Sequence, residues 1–198
     1  YAMEGSIFIA GAGVQWLRDK LKFFNKASET EKIVKSLNDN KGIYLVPAFT
    51  GLGAPYWDAN ARGVLSGLTR DTGPKEIIRA TIESVAYQTY DLFEAMKHDG
   101  LRPKLVKVDG GMVMNSWFSQ FLADVINIKV LRPKVQETTA LGAAFMAGLQ
   151  IGVYKSLKDI SKNWHIDKSF NPKIKNKLRT GLIKGWTKAI NKTLTKAT

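Results

Sequence analysis

The chain has 198 residues, of which 44% are hydrophobic and 10% aromatic, a composition that fits one globular domain and argues against disorder. It contains no cysteine and two histidines that lie far apart, which excludes disulfide frameworks, thiol chemistry and zinc sites. The formal net charge of +13 raises the question of nucleic-acid binding, so its distribution along the chain matters.

The positive charge is concentrated in the last segment of the chain. Residues 155–198 contain 12 Lys or Arg and two Asp or Glu, and therefore carry +10 of the total. The apolar residues of this segment recur at helical spacing: Ile174, Leu178, Leu182, Trp186, Ile190 and Leu194. The pattern predicts an amphipathic helix that packs on the domain and keeps its lysines in solvent.

A basic helix can also bind nucleic acid or an anionic membrane, and this alternative is disfavoured by the sequence. No Arg-aromatic interleaving or known nucleic-acid module accompanies the lysines. No apolar run reaches the length of about 18 residues that a membrane span needs, and no signal-peptide pattern is present. We therefore expect a cytoplasmic protein with neither nucleic acid nor a membrane as partner.

The N-terminal third predicts a strand followed by helices. Residues 1–10 have the composition of a β-strand, and no initiator methionine precedes them. We therefore expect further sequence upstream. Gly11 opens a helix with Val14, Leu17, Leu21 and Phe24 on one face, and a second helix follows over residues 31–37.

The middle of the chain predicts two strands and a long helix. Residues 43–49 are apolar on both faces, as in a buried strand, and lead into a Gly-rich and aromatic loop over 50–63. A strand over 63–68 follows. A long helix then begins near Thr72, with Pro74 in its first turn and a buried stripe that includes Ile78, Ile82 and Val85.

The remaining elements alternate again between strand and helix. Strands are predicted over 105–108 and 129–131, with a helix containing Trp117 and Phe121 between them. A helix of small residues follows over 137–153 and predicts close packing against another helix. This alternation predicts an α/β domain, which we divide into a core (1–154) and a basic helical tail packed on it (155–198).

Three sequence segments resemble the FGGY family of carbohydrate kinases. Residues 63–83, GVLSGLTRDTGPKEIIRATIE, resemble the second signature of that family. The segments VDGG (108–111) and TTALGAA (138–144) also fit the family. Within it, the loop VPAFTGLGAPYWD (46–58) is similar to that of the members that phosphorylate glycerol.

The resemblance implies an actin-like ATPase, or ribonuclease-H-like, fold with a mixed sheet flanked by helices. It implies the nucleotide-binding C-terminal half of an enzyme that transfers the γ-phosphoryl group of ATP to glycerol. The catalytic aspartate, the glycerol contacts and the Mg²⁺ ligands are then expected in an N-terminal half. The chain alone is expected to contain no catalytic and no metal-binding residue and to be inactive. The full enzyme is expected to form a homo-oligomer.

Four residues are candidates for binding the adenine nucleotide. Adjacent glycines at 110–111, between a strand and a helix, let a ligand approach the backbone and a helix N-terminus. Gly11 and Gln15 stand one helical turn apart and share a face. Asn115 is also a plausible helix N-cap. From the residues alone, each of these has an ordinary structural reading; the resemblance assigns Gly11, Gln15, Gly111 and Asn115 to the nucleotide.

Other polar residues are predicted to be structural. Asp58 and Arg62 suggest an ion pair that fixes the Gly-rich loop. Glu83 has no partner carboxylate for acid–base catalysis, and Arg79 is expected to support the fold. Thr138 and Thr139 could cap a helix whose Ala/Gly run packs at a domain hinge.

Two alternatives stay open at this point. The chain could be a non-catalytic product of a split or decayed gene, or it could belong to a kinase of another polyol or sugar in the same family. One departure is informative, since residues 172–179 contain four basic and no acidic residues. The acidic regulator-binding segment that some bacterial relatives have there is therefore not expected.

Overall fold

The computed structural model describes residues 2–195. Tyr1, where the first predicted strand begins, and residues 196–198 of the predicted tail lie outside the described residues. Helices and strands alternate along the described part, in the order α1 (Gly11–Asp19), α2 (Glu29–Lys35), β1 (Tyr44–Val46), β2 (Val64–Ser66), α3 (Pro74–His98), β3 (Leu105–Lys107), α4 (Ser116–Ile126), β4 (Lys129–Pro133), α5 (Thr138–Gln150), α6 (Leu157–Ser161), β5 (Ile166–Phe170) and α7 (Asn176–Asn191).

The strands form two small sheets. β1 and β2 are antiparallel, with Leu45 opposite Leu65. In the second sheet β4 is central, parallel to β3 on one side and antiparallel to β5 on the other. The mixed sheet and its flanking helices confirm the predicted α/β class.

The long helix α3 is the centre of the core. Its first turn is fixed by Pro74 and by Glu76, whose carboxylate accepts a hydrogen bond from the Gly73 N–H at 3.0 Å. Ile78 and Ile82 are fully buried, as the apolar stripe predicts. The helix packs mainly against α4, β1 and α2, so it connects most parts of the domain.

A buried ion pair lies in this core. The Arg79 Nε donates to Glu83 Oε1 at 2.7 Å, and Arg79 Nη1 donates to the Leu37 carbonyl at 2.6 Å. Tyr87 and Asn40 both donate to the other carboxylate oxygen of Glu83, at 3.1 and 3.2 Å. Every charge here has a partner, which burial requires. The predicted structural role of Arg79 is consistent with these contacts.

Helix α7 lies against the rest of the domain. The Trp186 side chain is fully buried and stacks on Tyr87 at a centroid distance of 5.3 Å. Beyond the helix, Thr195 donates to the Asp58 carboxylate from both its N–H and its hydroxyl. The predicted apolar stripe is wrong at Leu178, which is 55% exposed because it lies in the first turn, before α7 reaches the core.

The sequence interpretation also differs from the structure near both ends of the chain. Residues 2–10 form no strand; within residues 2–195 their backbone has no strand neighbour, and the Ser6 carbonyl accepts one hydrogen bond from Ala54 N–H at 3.2 Å. The short elements α6 and β5 were not predicted, because four of the five residues of β5 are exposed and carry no apolar alternation. No helix within residues 2–195 has the length and apolarity that crossing a membrane requires.

Candidate functional site

A cavity of about 610 Å³ brings together residues from four parts of the chain. Helix α1 contributes Gly11 and Gln15, and the single 3₁₀ turn over Gly111–Met114, together with the residue after it, contributes Gly111 and Asn115. The segment leading into α2 and one residue of α3 complete the wall. All four predicted nucleotide-binding residues therefore line one cavity, whose volume is that of a small-molecule site.

The glycines at the cavity are of two kinds. Gly110 has a φ of 85°, a backbone conformation that favours glycine whatever the ligand. Gly11 and Gly111 have no such strain, and a Cβ built at either position meets no other atom within 4 Å. The fold itself therefore does not require glycine at Gly11 or Gly111. Their missing side chains leave backbone open to a ligand in the cavity, next to the N-terminus of α1.

Asn115 is held in one orientation. Its Oδ1 accepts a hydrogen bond from Phe118 N–H at 3.0 Å, which confirms that it is the N-cap of α4. Its Nδ2 donates to Thr30 Oγ1 at 3.4 Å, and the Thr30 hydroxyl donates to the Ala27 carbonyl at 2.7 Å. The amide thus joins the 3₁₀ turn to the start of α2, and both Asn115 and Thr30 line the cavity.

Gln15 is exposed, and its side chain makes no hydrogen bond to other groups within residues 2–195. One turn further along α1, Arg18 also lines the cavity and pairs with Asp19 at 2.7 Å. This hydrogen bond lowers the pKa of the Asp19 carboxyl. Gln15 is therefore the side chain of α1 that is most available to a ligand.

Several lining residues were not predicted from the sequence. Ile82 and Met112 form apolar wall, and Thr30 contributes a hydroxyl. Ile82 lies on the predicted buried stripe of α3, but a stripe does not show which of its members lines a cavity. A cavity with an apolar wall, two open glycine backbones and two amide side chains suits a flat polar ring that carries an anionic group.

The cavity has few groups that could take part in catalysis. Its carboxylate is Glu31. Burial raises the pKa of Glu31, but Lys35 at 2.6 Å, the Ser116 backbone and Lys168 together lower it further, so that the net shift is downward. Residues 2–195 hold no group of three His, Cys, Asp or Glu that could bind a metal ion. The arrangement can bind and orient a ligand, but it offers neither a general base with a raised pKa nor a metal site.

The predicted ion pair in the Gly-rich loop is wrong. The Asp58 carboxylate accepts hydrogen bonds from the backbone N–H of Asn60 and Ala61, and the N–H of Thr195 lowers its pKa. Arg62 donates instead to the carbonyls of Ala59 and Ala61. Asp58 and Arg62 each fix the loop through its backbone, because main-chain partners lie closer to each than the other side chain does.

The helix of small residues also differs from its prediction. Glu137 is the N-cap of α5 and makes no side-chain cap bond, so Thr138 and Thr139 do not cap it. Within the described residues, Gly148 is the one fully buried residue of this helix, in contact with the Tyr154 ring. Within the described residues α5 packs closely against no other helix and most of it faces solvent, so the predicted tight packing against another helix stays a prediction.

Comparison with known proteins identifies the family. The FGGY family of carbohydrate kinases, C-terminal domain, matches residues 1–151. The chain belongs to this family. Its FGGY C-terminal domain has the actin-like fold that the resemblance implies, and the cavity described above lies in it.

Similar curated proteins include glycerol kinases of bacteria. Glycerol kinase 1 of Pseudomonas aeruginosa is 53% identical over 197 residues, which is 100% of this chain and 40% of that protein. Glycerol kinase of Ectopseudomonas mendocina is 53% identical over 193 residues, or 97% of this chain and 39% of that protein. The chain therefore spans about two fifths of the length of these relatives.

Solved structures of FGGY kinases are similar over nearly the whole chain. The structure of Plasmodium falciparum glycerol kinase with ADP has a TM-score of 0.86 and 37% identity, and the match covers 97% of this chain and 38% of that one. A ligand-bound xylulose kinase from Lactobacillus acidophilus has a TM-score of 0.77 and 25% identity, with coverage of 94% and 38%.

Proposed function

We propose that this chain is the nucleotide-binding domain of a glycerol kinase. Together with an N-terminal domain it transfers the γ-phosphoryl group of ATP to glycerol and yields sn-glycerol 3-phosphate. The observation that carries the proposal is the single cavity formed by Gly11, Gln15, Gly111 and Asn115. We further propose that residues 1–154 form the domain core and 155–198 its tail, and that the full protein is a cytoplasmic homo-oligomer.

Similarity and geometry support this proposal independently. The relatives at 53% identity are glycerol kinases, and the similar Plasmodium structure is a glycerol kinase with ADP. The cavity supplies what an adenine nucleotide needs, since its apolar wall at Val14 and Met112 accepts a flat base. Open backbone at Gly11 and Gly111 accepts ribose or phosphate without a side chain in the way.

In this proposal the domain binds and orients but performs no proton transfer. Gln15 and Asn115 hydrogen-bond the nucleotide, and the first turn of α1 stabilises its negative charge. Phosphoryl transfer depends on positioning and charge stabilisation, so walls from two domains are needed to close one site and exclude water. Residues 2–195 hold no group of three His, Cys, Asp or Glu, and the carboxylate at the cavity, Glu31, is paired with Lys35. We assign the metal ligands and the catalytic base to the N-terminal domain.

Another FGGY substrate is the main competing function. The similar solved structures include a xylulose kinase and a gluconate kinase, each at 25% identity. The higher identity to glycerol kinases favours glycerol. Because the substrate contacts are assigned to the N-terminal domain, the test uses the chain joined to its own N-terminal domain, which should release ADP with glycerol and not with xylulose or gluconate. ADP release by the chain alone would contradict the assignment of the base to the other domain.

Nucleotide binding is tested by calorimetric titration of the 198-residue chain with ADP. Gly11→Ala and Gly111→Ala each place a methyl group in the cavity, so we expect the dissociation constant to rise by about tenfold, the loss of one hydrogen bond to a charged group. Asn115→Ser keeps an N-cap but removes the amide, and it should weaken ADP binding to a similar extent.

The matched control is Gly142→Ala in α5, where a Cβ also meets no atom within 4 Å but no cavity is present. This variant should bind ADP as the unchanged chain does. Alanine stabilises a helix relative to glycine, so these substitutions can also change the stability of the fold. The melting temperatures of all four variants therefore separate effects on folding from effects on ADP binding. Equal ADP affinity in Gly111→Ala and Gly142→Ala would reject the cavity as the nucleotide site.

A further inference from the structure

A second cavity, of about 600 Å³, lies at the other end of the long helices. Its wall combines the last turns of α3 and α4 with the first half of α7. It shares no lining residue with the nucleotide cavity. Helix α4 has Asn115 as its cap at the first cavity and Asn127 at the second, and its 11 residues span about 17 Å. The two cavities are therefore separate sites.

The charged side chains of this second cavity are predominantly basic. Lys97, His98, Arg102 and Arg179 line it, and Glu94 is its one acidic residue within the described part of the chain. Glu94 is already paired with Lys97. Within residues 2–195 no carboxylate lies within 4 Å of the guanidinium group of Arg102 or of Arg179. Two positive charges thus face the cavity without an ionic partner.

The ends of the helices modify this charge without cancelling it. The C-termini of α3 and α4 each contribute about half a negative charge, whereas the N-terminus of α7 contributes about half a positive one. Arg179 lies in the first turn of α7, where its Nη2 donates to Asn176 Oδ1 at 2.7 Å. The two full guanidinium charges exceed the helix contributions, so the cavity attracts anions.

The shape of the cavity favours a small ligand. Its floor is apolar, formed by the half-buried Pro103 and Ile183, with the buried Val125 and Ile126 beneath them. Its volume lies in the range of small-molecule sites. Guanidinium groups bind phosphate oxygens in pairs, with a geometry that a flexible ammonium group does not match. The acid-free segment 172–179, which the nucleotide site does not use, contributes Arg179 to this wall.

We propose that this cavity is a second ligand site, which binds a small phosphorylated metabolite through the guanidinium groups of Arg102 and Arg179. The phosphate lies between these two groups, and the apolar floor contacts the remainder of the molecule. This site is independent of ATP binding and of the kinase reaction proposed above.

Pyrophosphate is the probe that tests this site, titrated into the 198-residue chain at physiological ionic strength. Arg102→Gln and Arg179→Gln should each raise its dissociation constant by about tenfold, because each removes a charged hydrogen-bond donor pair. The matched controls are Lys104→Gln and Lys177→Gln, which remove the same charge from exposed neighbours that do not line the cavity. These should change the constant by less than about twofold.

Three outcomes would overturn the proposal. Equal weakening by the lysine controls would show that net charge alone attracts the anion. Loss of pyrophosphate binding in Gly11→Ala or Gly111→Ala would place the anion in the nucleotide cavity. Binding of DNA but not of pyrophosphate would replace a small ligand with a nucleic-acid surface. A failure of ADP binding leaves this test unaffected, because the two cavities share no residue.

Discussion

Asp91 shows how one carboxylate connects distant parts of the fold. Its Oδ2 accepts hydrogen bonds from the Tyr56 hydroxyl at 2.8 Å and from Trp186 Nε1 at 2.6 Å. The donors lie 35 and 95 positions away in the chain, so no sequence pattern indicates this contact. Burial raises the pKa of Asp91 to about 6, although both hydrogen bonds oppose the shift.

The pKa of Asp91 predicts a pH dependence of stability. Because the folded-state pKa of about 6 exceeds the unfolded value of about 3.9, the folded state binds more protons between these values. The contribution of Asp91 to the free energy of unfolding is therefore full below pH about 4 and is lost as the pH rises through about 6. The free energy of unfolding, measured with urea at several pH values between about 4 and about 6, tests this dependence.

Asp91→Asn is the appropriate comparison for this measurement. Its side-chain oxygen still accepts from Tyr56 and Trp186, but it does not titrate. The difference in unfolding free energy between the two proteins should therefore change with pH between about 4 and 6 and be flat above that range. Other carboxylates with shifted pKa values, such as Glu31 and Glu76, cancel in this difference. If the unfolding free energies of the two proteins change with pH in parallel, Asp91 does not titrate in this range.

At the scale of single elements, two glycines of α7 have opposite environments. A Cβ at Gly185 would collide with the Tyr44 ring, whereas a Cβ at Gly181 meets no atom within 4 Å. Close approach at Gly185 allows α7 to pack against β1 beside the buried Trp186. Glycine is thus required at Gly185 by packing, and it is an unfavourable residue for the helix at Gly181.

These environments predict opposite effects of one substitution. Gly185→Ala should lower the free energy of unfolding by about 1–3 kcal/mol, the usual cost of overpacking a core. Gly181→Ala should raise it by up to about 1 kcal/mol, because alanine has the higher helix propensity. Urea unfolding of both variants gives the two values. A stabilising Gly185→Ala would mean that α7 does not approach β1 as closely as the structure indicates.

The long helices α3 and α4 were predicted correctly, and each has a buried face. Helix α3 follows from its apolar stripe, and α4 follows from a capping Asn115 with aromatic residues behind it. Strand β5 could not be predicted, because it pairs with β4 through its backbone while most of its side chains face solvent. The four predicted cavity residues came from the family resemblance. The position of Thr30 and Ile82 in the cavity wall could be identified only from the fold, because it depends on contacts between distant segments.

At the scale of the whole molecule, one surface is unusually apolar. Met146 in α5 and the residues that follow this helix, Ile151, Val153 and Leu157, are between 51% and 77% exposed. Apolar surface that stays exposed on a folded domain often marks a contact with another protein or domain. The chain spans about two fifths of its bacterial relatives, and we infer that this surface contacts the N-terminal domain of the complete kinase. The predicted packing of the Ala/Gly run at a domain hinge stays a prediction.

This inference predicts a substitution that affects association but not folding. Met146→Glu introduces a charge where the side chain is 51% exposed, so the isolated chain should keep its melting temperature. Binding of the separately expressed N-terminal domain of the Pseudomonas relative should weaken by at least about tenfold, because the new carboxylate would be buried without a partner. Leu178→Glu, on a similarly exposed leucine of α7, is the control and should leave this binding unchanged. If both variants bind the N-terminal domain equally well, the apolar surface next to α5 is not where the two domains meet.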